Sequence, residues 1–199
     1  FIIGTRPEAI KLAPVIIAFK NCNEVNVRVV LSGQHSEMVT QVINLFDIKA
    51  DKDLKLMLPN QTLTHITCEA LKGFNEEYKS FKPNLVVIQG DTSTALCGAV
   101  SAFYENIHVA HVEAGLRSGN LHDPFPEEAN RRLISQISTL HFCPTTKSLK
   151  NLKSSNVKNN IILTGNTVID SLFLIRKKFK KNIPDYLDQN RNNKVILLT

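Results

Sequence analysis

Long apolar runs are missing from this 199-residue chain. A helix that crosses a bilayer needs roughly 18 or more consecutive apolar residues. Stretches such as Leu85–Ile88 and Val195–Leu198 have only the length of strands, so no membrane association is expected. No basic segment and small-residue cleavage site mark a secretory signal. An initiator Met is also absent, and the chain opens inside an apolar run, so trimming of a residue or more is expected. Cysteine is sparse. Cys22, Cys68, Cys97 and Cys143 form no Cys-x-x-Cys pair, which argues against a zinc cluster. Free thiols in a reducing cytoplasm follow, three of them expected as small core residues. Neither Gly-x-Gly-x-x-Gly nor a Walker A loop occurs, so dinucleotide and ATP binding gain no support. A Gly-x-Ser-x-Gly elbow and His-x-x-x-His spacing are missing too, which leaves Ser-His-Asp catalysis and a metal site without a motif. There is no internal repeat and no low-complexity segment.

What remains is ordinary globular composition, 43% apolar and 21% charged. The length allows one domain, or one domain and a fragment of another. The net charge of +6 is uneven. Residues 1–146 carry 13 basic and 15 acidic side chains, and residues 147–199 carry 11 basic and 3 acidic ones. The basic surplus gathers at Arg176-Lys177-Lys178 and Lys180-Lys181. A solvated helix face or linker accounts for it. No recognition motif or interleaved aromatics accompany it, so no nucleic-acid partner is expected.

Short β-rich runs alternate with segments of helical period. The runs fall at Phe1–Ile3, Val27–Leu31, Leu85–Gln89, His108–Val112, Leu140–Cys143 and Ile161–Leu163. The helical segments cover about 8–21, 36–46, 61–81, 93–105, 126–138, 145–154 and 167–180. Such alternation predicts an α/β fold with a doubly wound, Rossmann-like parallel sheet covered on both faces. Residues 1–180 read as one domain. Residues 181–193 are polar and rich in breakers, as a linker would be. Residues 194–199 read as the first strand of a second, truncated domain.

In open parallel sheets, ligands bind beyond the carboxyl ends of the strands. After the first run comes Gly4-Thr5-Arg6-Pro7-Glu8. Gly4 permits a tight turn, and Pro7 suits the first helical position. Arg6, with Lys11 one turn later, either grips a phosphate at the helix N-terminus or lies exposed on a plain turn. After Leu31 come Ser32-Gly33-Gln34-His35, where Gln34 and His35 either face a ligand or are polar loop residues, and Ser36 is a plausible N-cap. Asp91 follows the most apolar strand. It either caps the next helix, a task open also to its Thr and Ser neighbours, or does acid–base work in a desolvated cleft. Glu113 follows the next strand, beside glycines and Arg117. Pro126 then starts a helix at its first position, with Glu127 and Glu128 in the first turn. Asp91, Glu113 and Glu127 converge on one cleft beside Arg6 and Lys11 in this reading. Carboxylates held in different protonation states suit general acid and base roles, and the cations suit a leaving phosphate.

Five segments carry a resemblance. They are Gly4-Thr5-Arg6-Pro7-Glu8-Ala9-Ile10-Lys11, Gly90-Asp91-Thr92, His111-Val112-Glu113-Ala114-Gly115-Leu116-Arg117, Pro126-Glu127-Glu128-Ala129-Asn130-Arg131 and Gly165-Asn166-Thr167-Val168-Ile169-Asp170. In this order the chain resembles the N-terminal half of bacterial non-hydrolysing UDP-N-acetylglucosamine 2-epimerases. The resemblance implies the first of two domains in a glycosyltransferase-B arrangement. It implies interconversion of UDP-N-acetylglucosamine and UDP-N-acetylmannosamine by elimination and re-addition of UDP, for surface polysaccharide precursors. No cofactor and no metal are implied, and the implied enzyme is a cytoplasmic homodimer. Asp91, Glu113 and Glu127 match the family's catalytic carboxylates. Arg6, Lys11, Arg117, Asn130 and Arg131 are carried over as substrate-binding residues. Gln34 and His35 match part of an allosteric substrate turn, but Glu37 would repel a diphosphate there, and Asn60 stands where an Arg is expected. Three other outcomes stay open: a hydrolysing epimerase, a glycosyltransferase of the same fold, and an inert or dimerising fragment that lacks the second domain.

Overall fold

Successive residues along a strand point to opposite faces, and this chain puts apolar residues on both. The result, in a computed structural model that describes residues 1–33, 36–56, 61–157, 160–179, 194 and 196, is a sheet covered by helices on both sides. The described elements are β1 (Ile2–Ile3), α1 (Arg6–Lys20), β2 (Val30–Leu31), α2 (Ser36–Leu45), β3 (Lys52–Asp53), α3 (Leu63–Phe81), β4 (Leu85–Gln89), α4 (Ser93–Tyr104), β5 (His108–Val112), α5 (Glu127–Ile137), β6 (Leu140–Cys143), α6 (Thr146–Ser154), β7 (Ile161–Leu163) and α7 (Val168–Lys178). Every described ladder is parallel. One set runs β1-β2-β3 and the other β4-β5-β6-β7, with β1 lying beside β4. The chain therefore winds outward in both directions from β1 and β4, and a ligand crevice belongs between their carboxyl ends.

Ile3, Leu31, Val87, Ala110 and Val112 face one core with Leu12 and Ile16 of α1 and Val39 and Ile43 of α2. Ile2, Val30, Val86, Ile88 and Val109 face the other, against Phe74 of α3, Ala95 and Ala99 of α4 and Ile134 of α5. Each fully buried aliphatic side chain contributes about 1.5–3 kcal/mol, before the entropy of ordering it.

Pro14 lies inside α1, so it has no N–H for the carbonyl of Ile10, four residues back. The hydroxyl of Ser171, in α7, donates to that carbonyl instead. The gap in α1 thus becomes a docking point for α7. Threonine caps recur: Thr62, Thr92 and Thr145 accept from the amides of His65, Ala95 and Ser148. Changing Thr145 to Ala is expected to lower stability by about 1 kcal/mol, read as a shifted urea midpoint with unchanged slope.

Several expectations need correction. β3 was not anticipated. β1 and β2 are two residues each, shorter than the runs Phe1–Ile3 and Val27–Leu31, although backbone bonds such as Phe1 N to Arg28 O at 2.8 Å continue beyond them. Pro7 is the second residue of α1, and Pro126 precedes α5 rather than opening it. Two cysteines are buried, Cys97 and Cys143, not three; Cys22 and Cys68 are exposed. Arg176, Lys177 and Lys178 occupy the exposed last turn of α7, where cations suit the helix dipole. Lys178 reaches Asp47 at 2.6 Å. No described helix is long and apolar enough to cross a membrane. Residues 181–193, the strand expected over 194–199 apart from Lys194 and Ile196, the Gln34-His35 turn and Asn60 lie outside the described residues, as does the side chain of Ser36.

Candidate active site

The cleft is built from the turns at the carboxyl ends of the strands. β5 ends at Val112, and the next residue, Glu113, takes a left-handed backbone with φ of 64°. A non-glycine residue held there stores strain of about 1–3 kcal/mol and needs its surroundings to fix it. They do. One carboxylate oxygen, Oε2, accepts from Lys11 Nζ at 2.5 Å and from Gln89 Nε2 at 2.5 Å. The other, Oε1, accepts from Asn166 Nδ2 at 2.8 Å. Side chains from α1, β4 and the loop after β7 therefore lock one acid. Its side chain is only 11% exposed.

Two residues on, Gly115 has φ of 89°, and a Cβ there would meet the carbonyl oxygen of Ser148 at 2.3 Å. Only glycine lets this loop lie so close to α6. Asn151 of α6 donates to the Gly115 carbonyl at 3.0 Å.

Asp91 follows Gly90 at the end of β4. Thr92, rather than Asp91, caps α4, so the carboxylate is left to the cleft. Its Oδ2 meets Arg131 Nη2 at 2.7 Å. Its backbone carbonyl accepts from Asn130 Nδ2 at 2.8 Å. Burial pushes the Asp91 carboxyl above its ordinary range against the pull of Arg131; the charges of Glu127 and Glu113 add to the rise, and Lys11 opposes it. Those influences place the three carboxylates and Lys11 in one electrostatic neighbourhood.

Glu127 opens α5 and is half-buried. Its neighbour Glu128 is fully buried and takes a scaffold role. It accepts from the Ser118 amide at 2.9 Å and from Arg132 Nε at 2.8 Å, and faces Arg131 at 3.7 Å. Burial alone would raise its carboxyl, but the amide and the two arginines outweigh that and hold it low. Arg131 thus stands between Glu128 and Asp91. Arg117 turns away from the cleft's acids: its guanidinium donates to the Leu116 carbonyl at 2.8 Å and to Ser135 Oγ at 2.9 Å. Arg6, the first residue of α1, is exposed.

Composition and spacing gave no role to Gln89, Asn166, Glu8 or His111. Gln89 is the polar end of an otherwise apolar strand, and Asn166 follows a glycine after β7; both positions are readable signals. His111 is buried in β5, and its Nε2 lies 2.7 Å from the Gly90 carbonyl, next to Asp91. The carbonyl only accepts, so Nε2 carries the proton and Nδ1, which has no partner, keeps a lone pair. Burial holds this imidazole down to about 4. Among the described residues, no group of three or more His, Cys, Asp or Glu side chains is placed to hold a metal ion.

Fold and cleft together define a doubly wound α/β protein with acid–base groups gathered at its switch point. The family profile described as UDP-N-acetylglucosamine 2-epimerase matches residues 17–199. The UDP-N-acetylglucosamine 2-epimerase of Campylobacter jejuni is 47% identical over all of this chain and 55% of its own length. The crystal structure of the Neisseria meningitidis enzyme bound to UDP-GlcNAc superposes with a TM-score of 0.89, at 46% identity, over 94% of this chain and 52% of that one. The Methanocaldococcus jannaschii enzyme in complex with UDP-GlcNAc and UDP gives 0.87 at 33% identity, over 95% and 52%. The chain belongs to the UDP-N-acetylglucosamine 2-epimerase family, and its fold is that of the N-terminal half of these glycosyltransferase-B-type proteins. It spans about half the length of the curated relatives it matches.

Proposed function

We propose that the natural protein carrying this chain interconverts UDP-N-acetylglucosamine and UDP-N-acetylmannosamine. A base removes the C2 proton, the C1–O bond breaks, and UDP leaves a 2-acetamidoglucal. UDP then adds back at C1 as a proton returns to C2 from the opposite face. The reading rests above all on one observation: Asp91 is raised by burial and by the charges of Glu127 and Glu113, while Glu113 is tied by three donors. Acids in such unlike surroundings suit opposed proton-transfer roles. Asp91, Glu113 and Glu127 serve as the acid–base set. Arg6 and Lys11 supply positive charge for the departing diphosphate. Arg131 and Asn130 hold Asp91 and border the sugar, and Arg117 braces the loop that carries Glu113. In this reading a second domain beyond the linker completes the cleft, and the enzyme works as a cytoplasmic homodimer with UDP-N-acetylglucosamine and UDP as its ligands.

The test is incubation of the natural protein with UDP-N-acetylglucosamine in D2O. Deuterium at C2 together with UDP-N-acetylmannosamine is the expected result. Free N-acetylmannosamine formed in step with UDP would identify a hydrolysing enzyme. Binding without any exchange at C2 would favour a glycosyltransferase or an inert protein.

A further inference from the structure

The sequence leaves the N-terminus of α1 open between a phosphate site and a plain turn, and the anion found there is the protein's own. Glu8 is 2% exposed. Its Oε2 accepts from the Gly4 amide at 2.6 Å and from the Thr5 amide at 2.7 Å. Its Oε1 accepts from the Thr92 hydroxyl. The same hydroxyl oxygen accepts from the Ala95 amide at 3.1 Å and so caps α4. One buried carboxylate therefore ties the loop after β1 to the loop after β4, across the switch point of the sheet. Gly4 lets the two loops close: a Cβ on it would meet Thr94 Oγ1 at 2.5 Å. The Gly4 and Thr5 amides of this turn are therefore taken by Glu8.

Asp91 directly precedes Thr92, and Lys11 lies one turn beyond Glu8 on α1. We propose that Glu8 is a positioning residue, whose tie to Thr92 holds Asp91 in register with Lys11 and Glu113. The proposal rests on reading this cleft as the epimerase site. Glu8 itself is buried behind the loops and touches none of the reacting atoms. It acts by geometry, because misplacing a reacting group by about 1 Å can cost on the order of 100-fold in rate.

Glu8→Met keeps the size and leaves the Thr92 cap of α4 in place, but it has no oxygen to accept from the Gly4 and Thr5 amides or from the Thr92 hydroxyl. In the natural protein, folded by circular dichroism, this change is expected to lower kcat for C2 exchange about tenfold or more, with KM within about threefold. Thr92→Val cuts the tie at its other end, together with the α4 cap, and gives at least a similar loss. Thr92→Ser restores turnover, and the double variant Glu8→Met/Thr92→Val loses less than the product of the two single losses, since both changes cut the same tie. Unchanged kcat in folded Glu8→Met, or losses that multiply in the double variant, would overturn the proposal. A parent protein without C2 exchange would sink the epimerase reading instead. The tie is then read from the titration of the Asp91 carboxyl carbon by NMR. Its midpoint moves by about 0.5 pH unit or more in Glu8→Met if Glu8 sets the surroundings of Asp91, and an unmoved midpoint overturns the proposal.

Discussion

Asp91→Asn is expected to lower epimerase turnover at least about 100-fold in the natural protein, the scale of a lost general acid or base. Asn has nearly the same shape and its carbonyl still accepts from Arg131, so the loop should keep its place. What disappears is the capacity to take and return a proton. The expectation comes from the group's surroundings. Burial raises its affinity for a proton, Glu127 and Glu113 raise it further, and Arg131 and Lys11 restrain the rise. A carboxyl tuned upward works nearer neutral pH than a free one. KM should stay within a few-fold, since the residues proposed for the diphosphate, Arg6 and Lys11, are left unchanged. Steady-state kinetics with C2 exchange as readout decide the matter, and turnover near the parent's would remove Asp91 from the acid–base set.

The second large effect is on stability. An unfolded histidine takes up its proton near 6.5, and folded His111 only near about 4. Between those values the unfolded chain binds more protons than the folded one. Stability therefore rises with pH across that window. The contribution is fully present above about 6.5 and is lost as pH falls through the window. It amounts to roughly 3 kcal/mol. Burial also lowers His141, on the neighbouring strand, in the same sense. The raised carboxyls Glu8 and Asp91 act oppositely, because they bind protons more readily when folded. The measurement is thus a difference: denaturant unfolding of the parent and of His111→Gln, at pH 7 and pH 4. Gln still donates to the Gly90 carbonyl but does not titrate, so the parent should lose about 3 kcal/mol more than the variant. A difference under about 1 kcal/mol would show that His111 does not stay neutral on folding.

The strands β4, β5, β6 and β7 end where the sequence alone put their ends, because their apolar runs stop at glycine, glutamate or a polar turn. β3 was illegible for the opposite reason. Lys52 and Asp53 pair with β2 through backbone groups, and their side chains carry no strand pattern. The cysteines misled because local apolar neighbours do not say which face of a helix a residue occupies. The mouth of the cleft was readable, since Asp91 and Glu113 each come just after a buried strand. The groups that set their chemistry were not. Lys11 and Glu113 are 102 residues apart and Asn166 is 53 beyond Glu113. Whether Arg131 turns to Asp91 and Arg117 to Ser135 depends on packing that no local pattern records.

The docking of α7 under Pro14 has a consequence in time. Ser171 reaches Ile10 across 161 residues, and Asn166, which holds Glu113, sits in the loop that this contact secures. Closing such a loop carries an entropic cost that local helices avoid. The strand–helix units around β4 and β5 can form from nearer neighbours, so the cleft should exist in outline before Glu113 is fastened. On a ribosome, the acid would gain its last donor only after residue 171 has emerged. The proposed acid–base competence would then come late in the assembly of the described residues, and be among the first things lost when α7 frays.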